Sequence, residues 1–268
     1  MTEPLAKAIG GGYTLRGRDA VVIGEVVRAG SAQVGVAMCL GGAPKGYRFV
    51  DPNEDAVMAW GYHCRLLLGL ADAHNGATAG DVALDWLKEH GAELVSRATP
   101  SDWAVDAERR FSAVELSIRQ ENGRRGARSQ TTFLVAVVIL AERRLYYAAV
   151  GDSHLMIFRG EAPRWLVGSA GNQDFFLGAP PGRGDVVPTR LQTGFVALAP
   201  GAAVVLASDG ISTVGIGFDE PLAAVGEVVC GSGSLDACEL AGQIATAACQ
   251  VQARKASGDN IGVAVALT

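Results

Sequence analysis

Apolar residues switch repeatedly between the period of strand and that of helix along this chain. Between residues 20 and 40, AVVIGEVVRAGSAQVGVAMCL clusters Val and Ile around an Ala-Gly-Ser break and predicts two strands. A Gly- and Pro-bearing loop, GGAPKGYRFVDPNED, leads into the apolar run AVMAWGYHCRLLLGLA. The period then becomes helical. GDVALDWLKEHGAELV predicts one helix and SDWAVDAERRFSAVELSIRQ a second, in which Trp103, Ala107, Phe111, Val114 and Ile118 recur at steps of three or four and make one face apolar. Ser101, after Pro100, stands where an N-cap is expected. From TTFLVAVVIL onward the pattern is that of sheet, with RRLYYAAV, HLMIFRG, GFVALA and AAVVLAS as short strands set apart by Gly, Pro and Asp. A helix over 235–255 and a closing strand, IGVAVAL, complete the series, while the apolar, small-residue segment 221–230 reads as core or interface. No repeat or low-complexity linker divides the chain, so 1–268 reads as one domain with 1–19 a loosely ordered N-terminal segment. This order predicts an α+β fold with helices packed on antiparallel sheets.

Composition narrows the functions that fit. With 49% hydrophobic residues and a formal net charge of −5, the chain can bury a sizeable core but has no global basic field to attract nucleic acid or anionic lipid. Its N-terminus lacks the apolar run that a signal peptide or membrane anchor requires. The cysteines Cys39, Cys64, Cys230, Cys238 and Cys249 form no CxxC pair, and their odd number cannot close a full disulfide framework. A reducing, cytoplasmic setting is the expectation.

Candidate chemistry lies in the carboxylates. Acidic residues recur where an apolar strand meets a turn: Glu54 and Asp55 in DPNEDAV, Asp72 in LADAHNG, Asp209 in VVLASDGIS and Asp259 in KASGDNIGVAVAL. One Asp at a strand end is ordinary turn chemistry. Several brought together would repel one another unless a hard cation neutralised them, and a donor set of oxygens without a Cys or His cluster points to Mg²⁺ or Mn²⁺ rather than zinc. Two such ions would make a bridging water acidic enough to attack phosphorus, and His74, beside Asp72, could protonate the leaving alkoxide.

These segments resemble the metal-dependent serine/threonine protein phosphatases of the PPM, or protein phosphatase 2C, family. NEDAV is similar to that family's NEDA motif, ADAHNG to DGHGG, SQTTFLVAVVI to the GTT strand, YYAAVGDSHLMIFRG to the VGDSR hairpin, LASDGI to SDGL and GDNIGVAVA to DNITVVV, in the family's order from Asn53 to the C-terminus. The resemblance implies two stacked antiparallel sheets flanked by helices, a four-layer αββα arrangement. It implies that Asp72 bridges two Mn²⁺ or Mg²⁺ ions, that the Ala73 carbonyl completes one site, that Asp209 and Asp259 ligate the other, and that Glu54 binds through a metal-bound water with Asp55 beside it. It implies a phosphorylated protein as substrate and a Ser/Thr kinase as a possible counterpart. Gly151 and Asp152 are expected to shape a hairpin.

The chain also departs from the pattern. The family's phosphate-gripping Arg, four residues before the Glu, is Val50 here, which directs attention to Arg48 as a replacement two residues earlier. Gln130 takes the place of the GTT glycine, Ala127 that of a third-metal Asp, and His154 that of the hairpin Arg; the segment available for a flap is short. Two other readings stay open. One is a catalytically weak or inert PPM-fold regulatory module. The other is a calcineurin-like metallophosphoesterase, from the DAH, GDSH and GNQD blocks, although His63, His74, His90 and His154 leave no histidine late in the chain for that chemistry.

Overall fold

The structure is a computed structural model that describes residues 12–159, 162–168, 175–179, 187–231, 233 and 236–268. The chain begins with β1 (Gly12–Arg16), β2 (Val26–Gly30) and β3 (Val34–Cys39), followed by β4 (Asp55–Tyr62) and β5 (Arg65–His74). Helices α1 (Thr78–Ser96) and α2 (Trp103–Arg125) come next, then β6 (Gln130–Thr131), β7 (Phe133–Ile139), β8 (Arg144–Val150), β9 (His154–Phe158) and β10 (Arg164–Val167). The short α3 (Val187–Arg190), β11 (Gln192–Ala197), β12 (Ala203–Ala207), α4 (Pro221–Gly231), α5 (Ala237–Lys255) and β13 (Ile261–Leu267) complete it. One sheet runs β1-β4-β5-β7-β8-β11 with β6 attached to β5, and the other runs β10-β9-β12-β13-β3-β2, all pairings within them antiparallel.

Side-chain alternation explains the layering. In β7, Phe133, Val135, Val137 and Ile139 face α1 and α2, whereas Leu134, Ala136 and Val138 face the second sheet. A strand buried on both faces reads as one continuous apolar run, as TTFLVAVVI does. A third apolar layer joins the second sheet to α4 and α5 through residues such as Val205, Val263, Val225 and Ile244. The order is therefore helix, sheet, sheet, helix, the α+β arrangement the sequence predicts. Each fully buried Leu, Val or Ile in these layers contributes about 1.5–3 kcal/mol.

Several boundaries differ from expectation. Residues 12–19, expected to be loosely ordered, form β1 and a 3-10 turn, because Arg16 bridges to Asp81 and Asp85 on α1 at 2.6 and 2.5 Å. Ser101 is not the N-cap of α2. Asp102 holds that place, and the Thr99 carbonyl accepts the Trp103 N–H at 3.0 Å, so the first turn needs no hydroxyl cap. The helix also runs on to Arg125 and stops at Gly126, whose left-handed φ of 65° ends it. Segment 221–230 falls within helix α4, a pattern the period missed because its apolar and small residues leave little polar contrast around the helix. Most of the segment expected to form a short flap, GNQD included, lies outside the described residues.

Candidate metal centre

The same alternation delivers the acidic residues to one place. In β5, Leu66, Leu68 and Leu70 point between the sheets, and Asp72 is next in that series. In β4, Val57 and Ala59 point there too, which puts Asp55 on the same side, directly paired with Asp72 in register. From the second sheet, Val204 and Leu206 of β12 continue into Ser208, followed at once by Asp209. Gly210 then passes so near β13 that a Cβ on it would lie 1.8 Å from the Asn260 carbonyl oxygen, which brings the SDG turn against Asp259 and Asn260. The inter-sheet layer is thus apolar along its length and acidic at one end.

Hydrogen bonds fix these groups. The Asp72 carbonyl accepts from the Thr132 N–H at 2.8 Å and the Thr131 hydroxyl at 3.0 Å, and its own N–H donates to Thr132 Oγ1 at 2.9 Å. The paired threonines hold the strand end, and Thr132 Oγ1 lies 2.7 Å from Ser153 Oγ in the GDS hairpin. Ala73 is paired with Thr131 and His74 with Gln130. Asp55 Oδ2 accepts from Ser208 at 2.8 Å, while its Oδ1 is buried without a partner. Glu54 is committed differently: its Oε1 accepts from the backbone N–H groups of Val50, Asp51 and Gly76 at 3.1, 3.2 and 2.6 Å. It ties the loop before β4 to the turn after β5, where Asn75 and Gly76 take positive φ values of 62° and 108°.

Electrostatics confirm that the carboxylates are neighbours. Burial pushes the pKa of Asp55 up to about 7, with the Asp259 charge adding to it and the hydrogen bond from Ser208 opposing it. Burial, then the charges of Asp259 and Asp152, likewise raise Asp209 to about 7. Asp72 is held well above the ordinary carboxylate range by burial first and by Asp55, Asp209 and Asp259 next. Asp55, Asp72 and Asp209 are thus near enough to act on one another's protonation. Even so, among the described residues no three His, Cys, Asp or Glu side chains are gathered as a ready-made metal site. Asp55 and Asp259 instead spend oxygens on hydroxyl groups: Asp259 Oδ1 accepts from Tyr47 and its Oδ2 from Thr213 at 3.4 Å. The donor chemistry fits a hard divalent cation, since clustered, buried, oxygen-only carboxylates with an orphaned Asp55 oxygen are met by little positive charge beyond that of Lys45.

His74 stands at the mouth of this cluster. It is exposed, with Nδ1 3.8 Å from Asp72 Oδ1 and its ring 4.8 Å from that of Phe176. Arg48 is exposed in the loop before β4. Lys45 and Tyr47, which the sequence reading did not single out as site residues, are the members of that loop that reach the acidic end. Lys45 Nζ donates to Asn260 Oδ1 at 2.5 Å, sits 5.2 Å from the Tyr47 ring centroid, and its charge lowers the pKa of Asp55. No local period in KGYRF announces this: Tyr47, Arg48 and Val50 are all exposed, and the contacts of Lys45 and Tyr47 run to Asn260 and Asp259 far along the chain.

Two antiparallel sheets between helix pairs, with the acidic residues at one end of the inter-sheet layer, form the fold of the PPM-type serine/threonine phosphatases. A C. elegans sex-determining protein matches with a TM-score of 0.65 at 18% identity over 89% of this chain and 65% of its own. A bacterial serine phosphatase matches at 0.62 and 18% identity over 89% and 99%. The catalytic domain of the serine/threonine phosphatase PstP, solved with two manganese ions, matches at 0.56 and 19% identity over 91% and 100%. No family sequence profile and no curated protein matches the chain. At these identities the likeness establishes the fold.

Proposed function

We propose that this chain is a metal-dependent phosphoprotein phosphatase that hydrolyses phosphoserine and phosphothreonine esters at a centre of two Mn²⁺ or Mg²⁺ ions. The observation that carries the reading is the gathering of Asp55, Asp72, Asp209 and Asp259 at the end of the inter-sheet layer, where burial and the neighbouring charges raise the pKa values of Asp55, Asp72 and Asp209. Asp72, from the first sheet, and Asp209 and Asp259, from the second, would hold the ions together with the Ala73 carbonyl. Asp55 would stand beside them and the free oxygen of Glu54 would act through a water. When bound, the ions neutralise these charges and supply a water acidic enough to act as nucleophile near neutral pH.

The chain's own residues do the rest. His74, exposed and close to Asp72, holds a proton where a leaving alkoxide would depart. Arg48, on the loop beside the cluster, is assigned to the substrate phosphate, which a guanidinium can meet with two parallel hydrogen bonds. The substrate is a phosphorylated protein, a Ser/Thr kinase is its counterpart, and the setting is cytoplasmic. Among the described residues no helix is long and apolar enough to cross a membrane.

A second reading, an inert module on the same fold, has its own support in Tyr47, whose hydroxyl engages Asp259, and in the lack of a ready-made ligand set among the described residues. Hydrolysis of an aryl phosphate titrated with Mn²⁺, Mg²⁺ and chelator separates the two. The phosphatase reading expects turnover that appears with metal, vanishes with chelator and is lost in Asp209→Asn. Manganese binding without turnover on any phosphate ester would support the module.

A further inference from the structure

The chain has a formal net charge of −5, yet the stretch ELSIRQENGRRGAR over 115–128 carries Arg119, Arg124, Arg125 and Arg128 against only Glu115 and Glu121. It forms the second half of α2 and the turn after it, and its two signs are sorted by depth. Glu121 accepts from Arg124 at 2.8 and 2.7 Å and from Arg125 at 2.5 Å, and Glu115 accepts from Arg119 at 2.5 Å. The Glu115 and Glu121 side chains are 13 and 21% exposed, those of Arg119, Arg124 and Arg125 43, 67 and 54%, so the carboxylates lie inward and the guanidiniums face solvent. Arg128 is exposed as well and has no acidic partner among the described residues. The negative end of the helix dipole accounts for basic residues in the last turn of α2, but Arg128 stands beyond Gly126, where the helix has ended.

Two routes of direct contact join this basic rim to the candidate metal centre. His74 and Phe176, their ring centroids 4.8 Å apart, edge a cavity of about 590 Å³ that is also lined by Asp152, His154, Trp165 and Asp209. Two residues after Phe176, the Gly178 N–H donates at 2.5 Å to Glu115, the carboxylate that holds Arg119. On the second route, Gln130 is the register partner of His74, and Arg128 lies two residues before it, at most about 7 Å along the chain. Ser129, between them, is fixed: its hydroxyl donates to the Gly76 carbonyl and accepts the Ala79 N–H at 3.0 Å, and its carbonyl accepts from Asn122 at 2.6 Å. The rim is therefore anchored to the turn that follows His74.

We propose that the rim of Arg119, Arg124, Arg125 and Arg128 is a docking surface for acidic residues that flank the phosphorylated side chain of a protein substrate. Carboxylates fit it because outward guanidiniums offer paired N–H donors and because the chain itself answers only part of their charge. With its phosphate beside His74, an extended substrate would carry side chains about two to four positions away across Arg128 and Arg119. The proposal rests on the phosphatase reading for the neighbouring phosphate. The rim itself can be tested without turnover.

The test has two arms. In the first, phosphoserine peptides carrying Glu, Ala or Lys at each flanking position in turn are compared by kcat/KM in the manganese-loaded protein. On one side of the phosphoserine, Glu is expected to be favoured over Lys by about tenfold, on the scale of one charge-assisted contact. Arg128→Glu should bring that ratio to one or below it. Arg254→Glu, an equal change of charge at an exposed position of α5 in the opposite helix layer, should leave it as it is. A ratio is insensitive to a general loss of activity.

In the second arm, a fluorescently labelled, unphosphorylated Glu-rich peptide is titrated with the protein in the same manganese buffer and followed by anisotropy. Binding that weakens about tenfold in Arg128→Glu and stays unchanged in Arg254→Glu supports the rim. Absence of binding overturns it, as do equal losses in the two variants or a flanking preference that is flat or favours Lys. Retention on phosphatidylserine vesicles that depends on Arg128, with no peptide bound, would overturn it in favour of a membrane contact. If no ester is hydrolysed under any metal condition, the phosphatase reading fails and the anisotropy titration still decides the rim.

Discussion

The two flanks of the acidic cluster are built differently. On the side of loop 44–51, oxygens are answered from within the chain, apart from Asp55 Oδ1: Tyr47 donates to Asp259, Ser208 donates to Asp55 Oδ2, Lys45 donates to Asn260, and three backbone N–H groups meet Glu54. On the side of the cavity, His74 is exposed and Asp152, His154 and Trp165 keep buried polar atoms unpartnered. One flank is organised by contacts within the chain. The other keeps polar atoms that no group of the chain meets, and under the proposed function the phosphate and its leaving group would lie on that side.

His74 gives that contrast its largest expected effect. His74→Ala should slow phosphoserine peptides by about 10²- to 10⁴-fold, because an alkoxide leaving group needs the proton. Aryl phosphates, whose leaving group departs without one, should slow far less. Equal losses on the two substrates would remove His74 from the chemistry and blur the distinction between the flanks.

The cluster's own charges give the next effect, on stability. In chelator, Asp55 and Asp209 titrate near 7 in the folded chain against an ordinary carboxylate value of 3.8. Their raised values mean that the folded state holds extra protons in this window, so stability is greatest below pH 4 and is lost as pH rises towards and through 7. Buried His154 has the opposite sign: desolvation lowers it to about 4, so its contribution is lost as pH falls from about 6.5 through 4. Two carboxyl groups outweigh one imidazole. The chelated protein should therefore melt at a lower temperature at pH 8 than at pH 5, and saturating Mn²⁺ should abolish or reverse that difference. A chelated protein that melts higher at pH 8 would mean that the carboxyl groups are not crowded.

Smaller effects test the closed flank. Tyr47→Phe removes one of the two donors to Asp259 Oδ1, leaving the Asn260 N–H at 2.8 Å, and should tighten Mn²⁺ binding by about three- to tenfold in calorimetry, the scale of one hydrogen bond. Weaker binding would mean that the phenol assists the metal instead of competing with it. Arg48→Ala should raise KM for a phosphopeptide by about threefold with manganese affinity unchanged, the scale of one exposed charged contact. If Lys45→Ala raises KM and Arg48→Ala leaves it alone, the phosphate contact belongs to the inward-facing member of the loop.

Much of this arrangement could be read from residue order alone. The run LLLGLAD places Asp72 in the series of Leu66, Leu68 and Leu70, and VVLASD brings Ser208 and Asp209 to the matching end of the second sheet; alternation is enough to put them in one layer. The roles of Thr131 and Thr132 were less visible, because their bonds run to the Asp72 backbone across a sheet pairing that residue order does not specify. Loop 44–51 was harder still. Its path is set by contacts with Asn260 and Asp259, more than two hundred positions away in sequence, so no local period indicates which side chains turn inward. The N-terminal strand and α4 were missed for a related reason: β1 is held by an arginine bridging to α1, and α4 is apolar on nearly every side.

Glu54 has a further consequence, in the time domain. One carboxylate oxygen receives the amide hydrogens of Val50, Asp51 and Gly76, and it joins a surface loop to the turn that ends β5. Amides in β5 and β7, deep between packed layers, exchange with deuterium only when large parts of the chain open, whereas these three exchange whenever the loop lifts from its anchor. They form a small isotopic clock beside the cluster. Its rate would report how often the acidic end of the molecule is uncovered, independently of any reaction that takes place there.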